Sequence, residues 1–177
     1  MRFLHTSDWH LGRSFHGASL LDEQALVLQR IVQLAVDAEL DAVLIAGDLY
    51  DRAIPPAEAV ELFNHTLAVL RHSGVAVIAI AGNHDSHVRV SIYDPLLSGF
   101  GVTIRGDITR AWEPVVLQPR RGGPPAAIYP LPYLEPVVDG PRLAALDGDQ
   151  EVQPSGRFSH QSVTRLALER IRRDPGL

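Results

Sequence analysis

Three short runs rich in branched apolar residues, Arg2–Thr6, Ala42–Ala46 and Val75–Ala81, set the architecture open to this chain. Each is too short for a helix, and the second and third lack polar alternation, as strands covered on both faces do. Two helical patterns lie between them. Leu21, Ala25, Leu28, Val32 and Ala35 trace one apolar stripe, and Ala59, Phe63, Leu67 and Leu70 trace another. The second is punctuated at both ends, by Pro55-Pro56 near its start and Gly74 past its end. Strand, helix, strand, helix, strand is the order of a parallel sheet covered by helices, so the expected class is α/β.

From Val102 onward the pattern changes. Candidate strands at Val102–Ile104, Ile108–Trp112, Val115–Leu117 and Ala126–Tyr129 flank the turn-rich stretch Pro119–Pro125, which predicts a hairpin region. Pro130–Pro154 reads as a long surface loop with a short helical piece near Leu143–Leu146, and Ser159–Arg173 as a further amphipathic helix carrying Val163, Leu166, Leu168 and Ile171.

With 177 residues the chain can bury a core of its own, and with no cysteine it has neither disulfide nor thiolate. Any chemistry must therefore come from oxygen and imidazole groups. The net charge of −5, with every basic residue an arginine, argues against a coat for nucleic acid and suits a cation site. The amino terminus meets charged residues too early for a signal peptide, and no apolar run nears the roughly 18 residues of a membrane helix. The expectation is a cytoplasmic protein without a membrane partner.

The informative polar residues follow the three strands: Ser7-Asp8-Trp9-His10, then Gly47-Asp48-Leu49-Tyr50-Asp51-Arg52, then Gly82-Asn83-His84-Asp85. In an open α/β sheet the carboxyl ends of the strands converge on one crevice. Asp, His and Asn donors suit Mn, Fe or Zn, and glycines at 47 and 82 let the backbone bring Asp48 and Asn83 close to an ion. A carboxylate such as Asp48 can bridge two cations. Asp-x-His alone is a weak signal; three blocks after three successive strands are hard to explain by packing.

Together the blocks D-x-H, G-D-x-x-D and G-N-H-[DE] resemble the calcineurin-like metallophosphoesterase superfamily. The longer contexts His5–Gly12, Ala46–Arg52 with Ile54-Pro55-Pro56, and Ala81–Ser86 are similar to its SbcD-type nuclease branch. The resemblance implies a metallophosphoesterase-type β-sandwich core with flanking helices. It implies a manganese-dependent phosphodiesterase acting on DNA, an exonuclease at duplex ends and an endonuclease on single strands and hairpins, serving double-strand-break repair and recombination. By the same resemblance Asp8 and His10 bind a first ion, Asp48 bridges two, and Asn83 binds the second. His84 meets the scissile phosphate, Asp85 holds its imidazole, and Asp51 with Arg52 orients Asp48. His16, Ser86, His87 and Arg89, in loops beside these blocks, are candidates for DNA contact. The implied cofactors are two Mn2+ ions, with Mg2+ or another divalent ion as substitutes. The implied partners are DNA, an SbcC-type SMC-like ATPase and a second copy of the chain through its first two helices, in a bacterial, nucleoid-associated setting.

One departure is informative. The superfamily draws further histidines for its second ion from later strands, an isolated His and a G-H-x-H block, and neither occurs in this sequence. The expectation is that residues 1–177 are the N-terminal part of a nuclease domain, truncated at the C-terminal side, with an incomplete second site and poor activity alone. Two other readings stand beside it: a cyclic-nucleotide type phosphodiesterase, and a non-catalytic module that dimerises or presents DNA. Trp9 reads as wall rather than base platform, His5 as packed beneath the site, and Arg120 and Arg121 as solvated at a hairpin tip.

Overall fold

In the computed structural model, which describes residues 1–146 and 158–173, the apolar runs become strands where the patterning places them. The chain begins with β1 (Phe3–Ser7), a small hairpin of β2 (Ser14–Phe15) and β3 (Ala18–Ser19), and helix α1 (Leu21–Asp37). It continues through β4 (Ala42–Ala46), α2 (Ala57–His72) and β5 (Ala76–Ile80). Two short helices follow, α3 (His87–Ser91) and α4 (Asp94–Leu97), then β6 (Val102–Arg105). The remainder is a hairpin of β7 (Val115–Leu117) and β8 (Ala126–Ile128), with helices α5 (Pro136–Leu146) and α6 (His160–Ile171).

Four strands form one parallel sheet in the order β1-β4-β5-β6, in register from Phe3 opposite Ala42 to Ser7 opposite Ala46 and from Ala42 opposite Ala76 to Ala46 opposite Ile80. Helices α1 and α2 bury one sheet face, with Leu28 and Ala35 from the first and Phe63, Leu67 and Leu70 from the second against Val43, Ile45 and Val77. A second, smaller core joins Ile108 and Leu134 to Leu143 of α5 and to Val163 and Ala167 of α6. The opposite sheet face, with Leu44, Ala46, Ile78 and Ile80, lines a cavity of about 140 Å³ beside Ile128 and Leu131, and His5 opens onto it from the edge strand.

Three sequence expectations are corrected. Ile108–Trp112 forms no strand: Asp107 caps a single 3-10 turn at Ile108–Arg110 by accepting from Thr109 N at 2.9 Å, and that turn ends the extended path. The loop expected from Pro130 contains instead a three-turn helix, α5, beginning at Pro136, whose fixed φ suits a first turn; residues 147–154 of that stretch lie outside the described residues. Arg120 and Arg121 are not simply solvated either. Arg120 donates its backbone N–H to Asp41 at 2.7 Å, and Arg121 pairs with Glu39.

Candidate metal centre

All three motif blocks emerge from the carboxyl ends of β1, β4 and β5 and meet side by side. Parallel pairing continues past the strands: Asp8 N donates to Gly47 O at 3.2 Å, His10 N to Asp48 O at 2.9 Å and Leu11 N to Leu49 O at 3.1 Å. The first two loops are thereby zipped together. The second and third touch through glycines. A Cβ on Gly82 would stand 2.1 Å from both the amide nitrogen and Oδ1 of Asp48, so only glycine allows that approach.

Three candidate ligands hold backbone shapes that side chains rarely adopt. Asp8 has φ 56°, His10 φ 43° and Asp48 φ 41°. Non-glycine residues in this region persist only where the surroundings over-determine them, and they concentrate at functional sites.

The donor atoms of His10, Asp48 and His84 all lie within 4.8 Å of one another. His10 Nε2 is 3.5 Å from Asp48 Oδ2, and the two imidazoles meet edge to face with centroids 4.8 Å apart. His10 Nδ1 is buried without a hydrogen bond, although Asp51 Oδ1 lies 3.4 Å away, too poorly aligned to make one. The Asp48 carboxylate beside the His10 imidazole, which has an unsatisfied ring nitrogen, is a donor pair that fits a borderline divalent cation, and the His84 imidazole lies within reach of the same place. Asp8 and Asn83 are exposed at the rim on the same loops, and Asp8 falls outside that three-residue group.

His84 is fixed from two sides. Its backbone N–H donates to Asp48 Oδ1 at 3.0 Å, and Nδ1 lies 2.9 Å from the Asp51 carbonyl oxygen. With Nδ1 as the donor, Nε2 is the nitrogen left to face a ligand. That carbonyl bond, aided by the negative charges of Asp48, Asp51 and Asp85 and opposed by partial desolvation, raises the imidazole above its ordinary range.

Asp85 does not hold the His84 imidazole as expected. It is 5% exposed, and its oxygens accept from Gly82 N at 2.8 Å, Leu49 N at 3.0 Å and Tyr50 N at 3.0 Å. It staples the second loop to the third, because three inward-facing N–H groups there need one buried acceptor. The imidazole is held by Asp51, whose carboxylate meanwhile lies beside His10 rather than Asp48. Arg52 is exposed and has no ion pair among the described residues.

Of the candidates for DNA contact, Ser86 caps α3 by accepting from Arg89 N at 3.4 Å, and the half-buried His87 reaches Gly106 O at 3.3 Å. His16, exposed at the tip of the β2–β3 hairpin with φ 48°, rests against Phe15. Arg89 borders an apolar groove with Ile54 and Tyr93. Trp9 is wall, 8% exposed, with its indole on Thr6 Oγ1 at 3.1 Å and its ring edge against Phe63. Sequence reasoning missed Gln24, whose side chain binds the Asp8–Gly12 loop; a glutamine inside an amphipathic helix gives no signal of such a role. It also missed a groove of about 520 Å³ beside Asn83, walled by Tyr133, Glu135 and Asp139 from a segment read as loop.

Residues 1–167 match the family model of calcineurin-like phosphoesterases. Among curated proteins, the SbcD component of the nuclease SbcCD from Escherichia coli K12 is 33% identical over 153 residues, 86% of this chain and 38% of that protein. The corresponding component from Bacillus subtilis is 40% identical over 134 residues, 75% of this chain and 34% of its own length. That of Staphylococcus saprophyticus is 36% identical over 118 residues, 66% and 31%. The chain thus spans between 31% and 38% of the length of these relatives.

Proposed function

This chain belongs to the calcineurin-like phosphoesterase family, and on that premise we propose that it is the N-terminal part of a metal-dependent DNA nuclease domain. The observation that carries the reading is the convergence of His10, Asp48 and His84 within 4.8 Å on three loops from three successive parallel strands. The relatives, whose names give a nuclease, support the substrate class.

In this reading Asp8, His10 and Asp48 would hold a first Mn2+, and Asp48 with Asn83 would hold a second. When bound, such ions supply Lewis acidity toward phosphoryl oxygens and a hydroxide at neutral pH. The remaining work falls to the chain. His84, its Nδ1 fixed by Asp51, directs Nε2 to the scissile phosphate and, protonated, donates to the departing 3′ oxygen. Asp85 keeps the second and third loops in contact while this happens. The finer activities are 3′–5′ exonuclease action on duplex ends and endonuclease action on single strands and hairpins. The setting is double-strand-break repair and recombination beside an SbcC-type ATPase in the bacterial cytoplasm, at the nucleoid. None of the described helices is long and apolar enough to cross a membrane.

The test is cleavage of end-labelled duplex and hairpin oligonucleotides with Mn2+ or with EDTA. The expected result is slow Mn2+-dependent cleavage that Asp48→Asn abolishes, one weak Mn2+ site by isothermal titration, and no hydrolysis of cyclic nucleotides. Two tight Mn2+ sites would contradict the incomplete second site, and cyclic-nucleotide hydrolysis would favour the small-molecule reading.

A self-associating role has its own support. Ile54 and Tyr93, both exposed, border with Arg89 an apolar groove of about 270 Å³, and Val88 of α3, Ile92 at its end and Leu96 of α4 are each 59–73% exposed. Exposed apolar side chains grouped on neighbouring short helices favour association. The face therefore falls on α3 and α4; α2 offers no exposed large apolar side chain, and α1 offers Leu26, Val27, Leu34 and Val36. Sedimentation should show a dimer that Leu96→Asp dissociates, while a monomer at all concentrations would remove this part.

A further inference from the structure

Gln24 lies in the first turn of α1, and its carboxamide is wholly committed to the loop that carries Asp8 and His10. Oε1 accepts from Gly12 N at 3.0 Å, and Nε2 donates to Trp9 O at 3.1 Å and to His10 O at 2.8 Å. The Gly12 amide and the Trp9 carbonyl have no other hydrogen-bond partner among the described residues, and both residues are buried. The His10 carbonyl accepts one further bond, from Arg13 N at 3.1 Å. Gln24 does not serve the start of its own helix, where Ser19 Oγ accepts from Leu21 N at 3.2 Å.

The loop needs such a hold. Its left-handed residues Asp8 and His10 are fixed on one side by bonds to the 47–49 backbone, which leaves the carbonyls of Trp9 and His10 and the amide of Gly12 turned away from the sheet. Gly12 is also pressed against α2: a Cβ there would meet Pro56 at 2.9 Å and Ala59 at 3.1 Å. Buried backbone groups without partners draw a loop toward other conformations or toward water. A neutral amide that both donates twice and accepts once satisfies all three groups, which neither a carboxylate nor a hydroxyl can do.

We propose that Gln24 is a positioning residue of the metal centre: by clamping Trp9, His10 and Gly12 it keeps His10 turned toward Asp48, and so sets metal affinity without touching the ion. The inference deepens the nuclease reading and rests on it for the identity of the ligands. Groups that orient metal ligands are worth about 10–100-fold in affinity when removed.

The test uses the 177-residue chain with Gln24→Leu and Gln24→Glu. Mn2+ affinity is measured by isothermal titration, and amide hydrogen exchange is followed in EDTA at Gly12 and, as a core reference, at Val43. The expected result for Gln24→Leu is a roughly 10–100-fold loss of Mn2+ affinity, with Gly12 protection lost and Val43 protection kept. Gln24→Glu loses both donors and sets a carboxylate oxygen against the Trp9 and His10 carbonyls, so Mn2+ affinity falls in this near-isosteric variant as well. Unchanged Mn2+ affinity in Gln24→Leu overturns the proposal, as does parallel loss of protection at Gly12 and Val43, which would mark a general stabiliser. A parent chain that binds no Mn2+ sinks the nuclease reading itself and the metal role of Gln24 with it; a parent that binds normally beside an unaffected variant sinks only the clamp.

Discussion

Asp8, His10 and Asp48 occupy left-handed backbone wells without a glycine's freedom, each at about 1–2 kcal/mol. That strain is offset by the backbone bonds that zip the loops and by Asp85 beneath them. Replacing Asp85 with Ala strands three buried N–H groups at once, and urea denaturation should show a loss of about 3 kcal/mol; a loss under about 1 kcal/mol would mean that the carboxylate is no staple. His84 carries a second prediction. Its imidazole is raised by the Asp51 carbonyl first and by the nearby carboxylates, so its favourable contacts act in full below the ordinary value of 6.5 and fade as pH rises through the folded value. An NMR titration of the metal-free chain should place His84 above 6.5, and Asp48→Asn should bring it down. A midpoint at or below 6.5 in the parent chain contradicts the geometry. As a proton donor, His84 would then stay charged further toward neutral pH than a free imidazole.

At the scale of elements, the site is made by loops that leave the sheet at one end and are pressed together by glycine. Gly47, with φ 76°, turns the second loop, and Gly82 admits Asp48 by having no side chain. Gly82→Ala should therefore destabilise by about 2 kcal/mol or more, by the cost of overpacking, and weaken metal binding with it. Gly99, where an added Cβ meets nothing within 4 Å, supplies the control: Gly99→Ala should stay within about 0.5 kcal/mol of the parent. Equal melting shifts in the two variants would show that the loop contact is not tight. Helix α6 illustrates the opposite kind of element, locally encoded, with Ser159 and Ser162 forming a reciprocal capping box at its start.

For the molecule as a whole, distant segments are tied to the sheet by few bonds. Asp41, at the entry to β4, accepts from Arg2 N at 2.6 Å and from Arg120 N at 2.7 Å, joining the amino terminus to the region of the β7–β8 hairpin. Those two backbone bonds, the Arg120 bond first, hold its carboxyl below the usual value of 3.8. A group lowered in the folded state stabilises fully above its unfolded value and loses that contribution as pH falls through the folded one. Asp41→Asn should lower the melting temperature at about pH 7 and narrow its gap to the parent below about pH 4. A gap that is constant from about pH 7 to about pH 2 would rule the carboxylate out as the cause. The smaller core of α5 and α6 is joined to the sheet by Tyr133 N, which donates to Ala81 O at 2.9 Å, just where the third motif loop begins.

The sequence by itself determined the parallel sheet, the two covering helices and the three loops, one after each of β1, β4 and β5, that meet at the carboxyl end of the sheet and bring His10, Asp48 and His84 together. Hydrophobic periodicity is local, and the carboxyl ends of parallel strands can only converge, so both were legible without coordinates. The hairpin of β7 and β8 was legible for the same reason, through its turn residues. Only the tertiary structure decided which group holds which. The Asp85 carboxylate turns to three backbone amides rather than to the neighbouring imidazole, Asp51 supplies that hold from 33 residues away, and Gln24 closes over the first loop from α1. These assignments depend on which polar groups burial leaves without water, and that is settled by packing between segments distant in the chain. The short helices α3 and α4 and the helix α5 were hidden for a related reason. Helix α3 has only five residues, Pro95 sits in α4, and Gly140 and Pro141 interrupt α5; their stability comes from what they pack against, such as Asp94 buried at 3% exposure with Arg105.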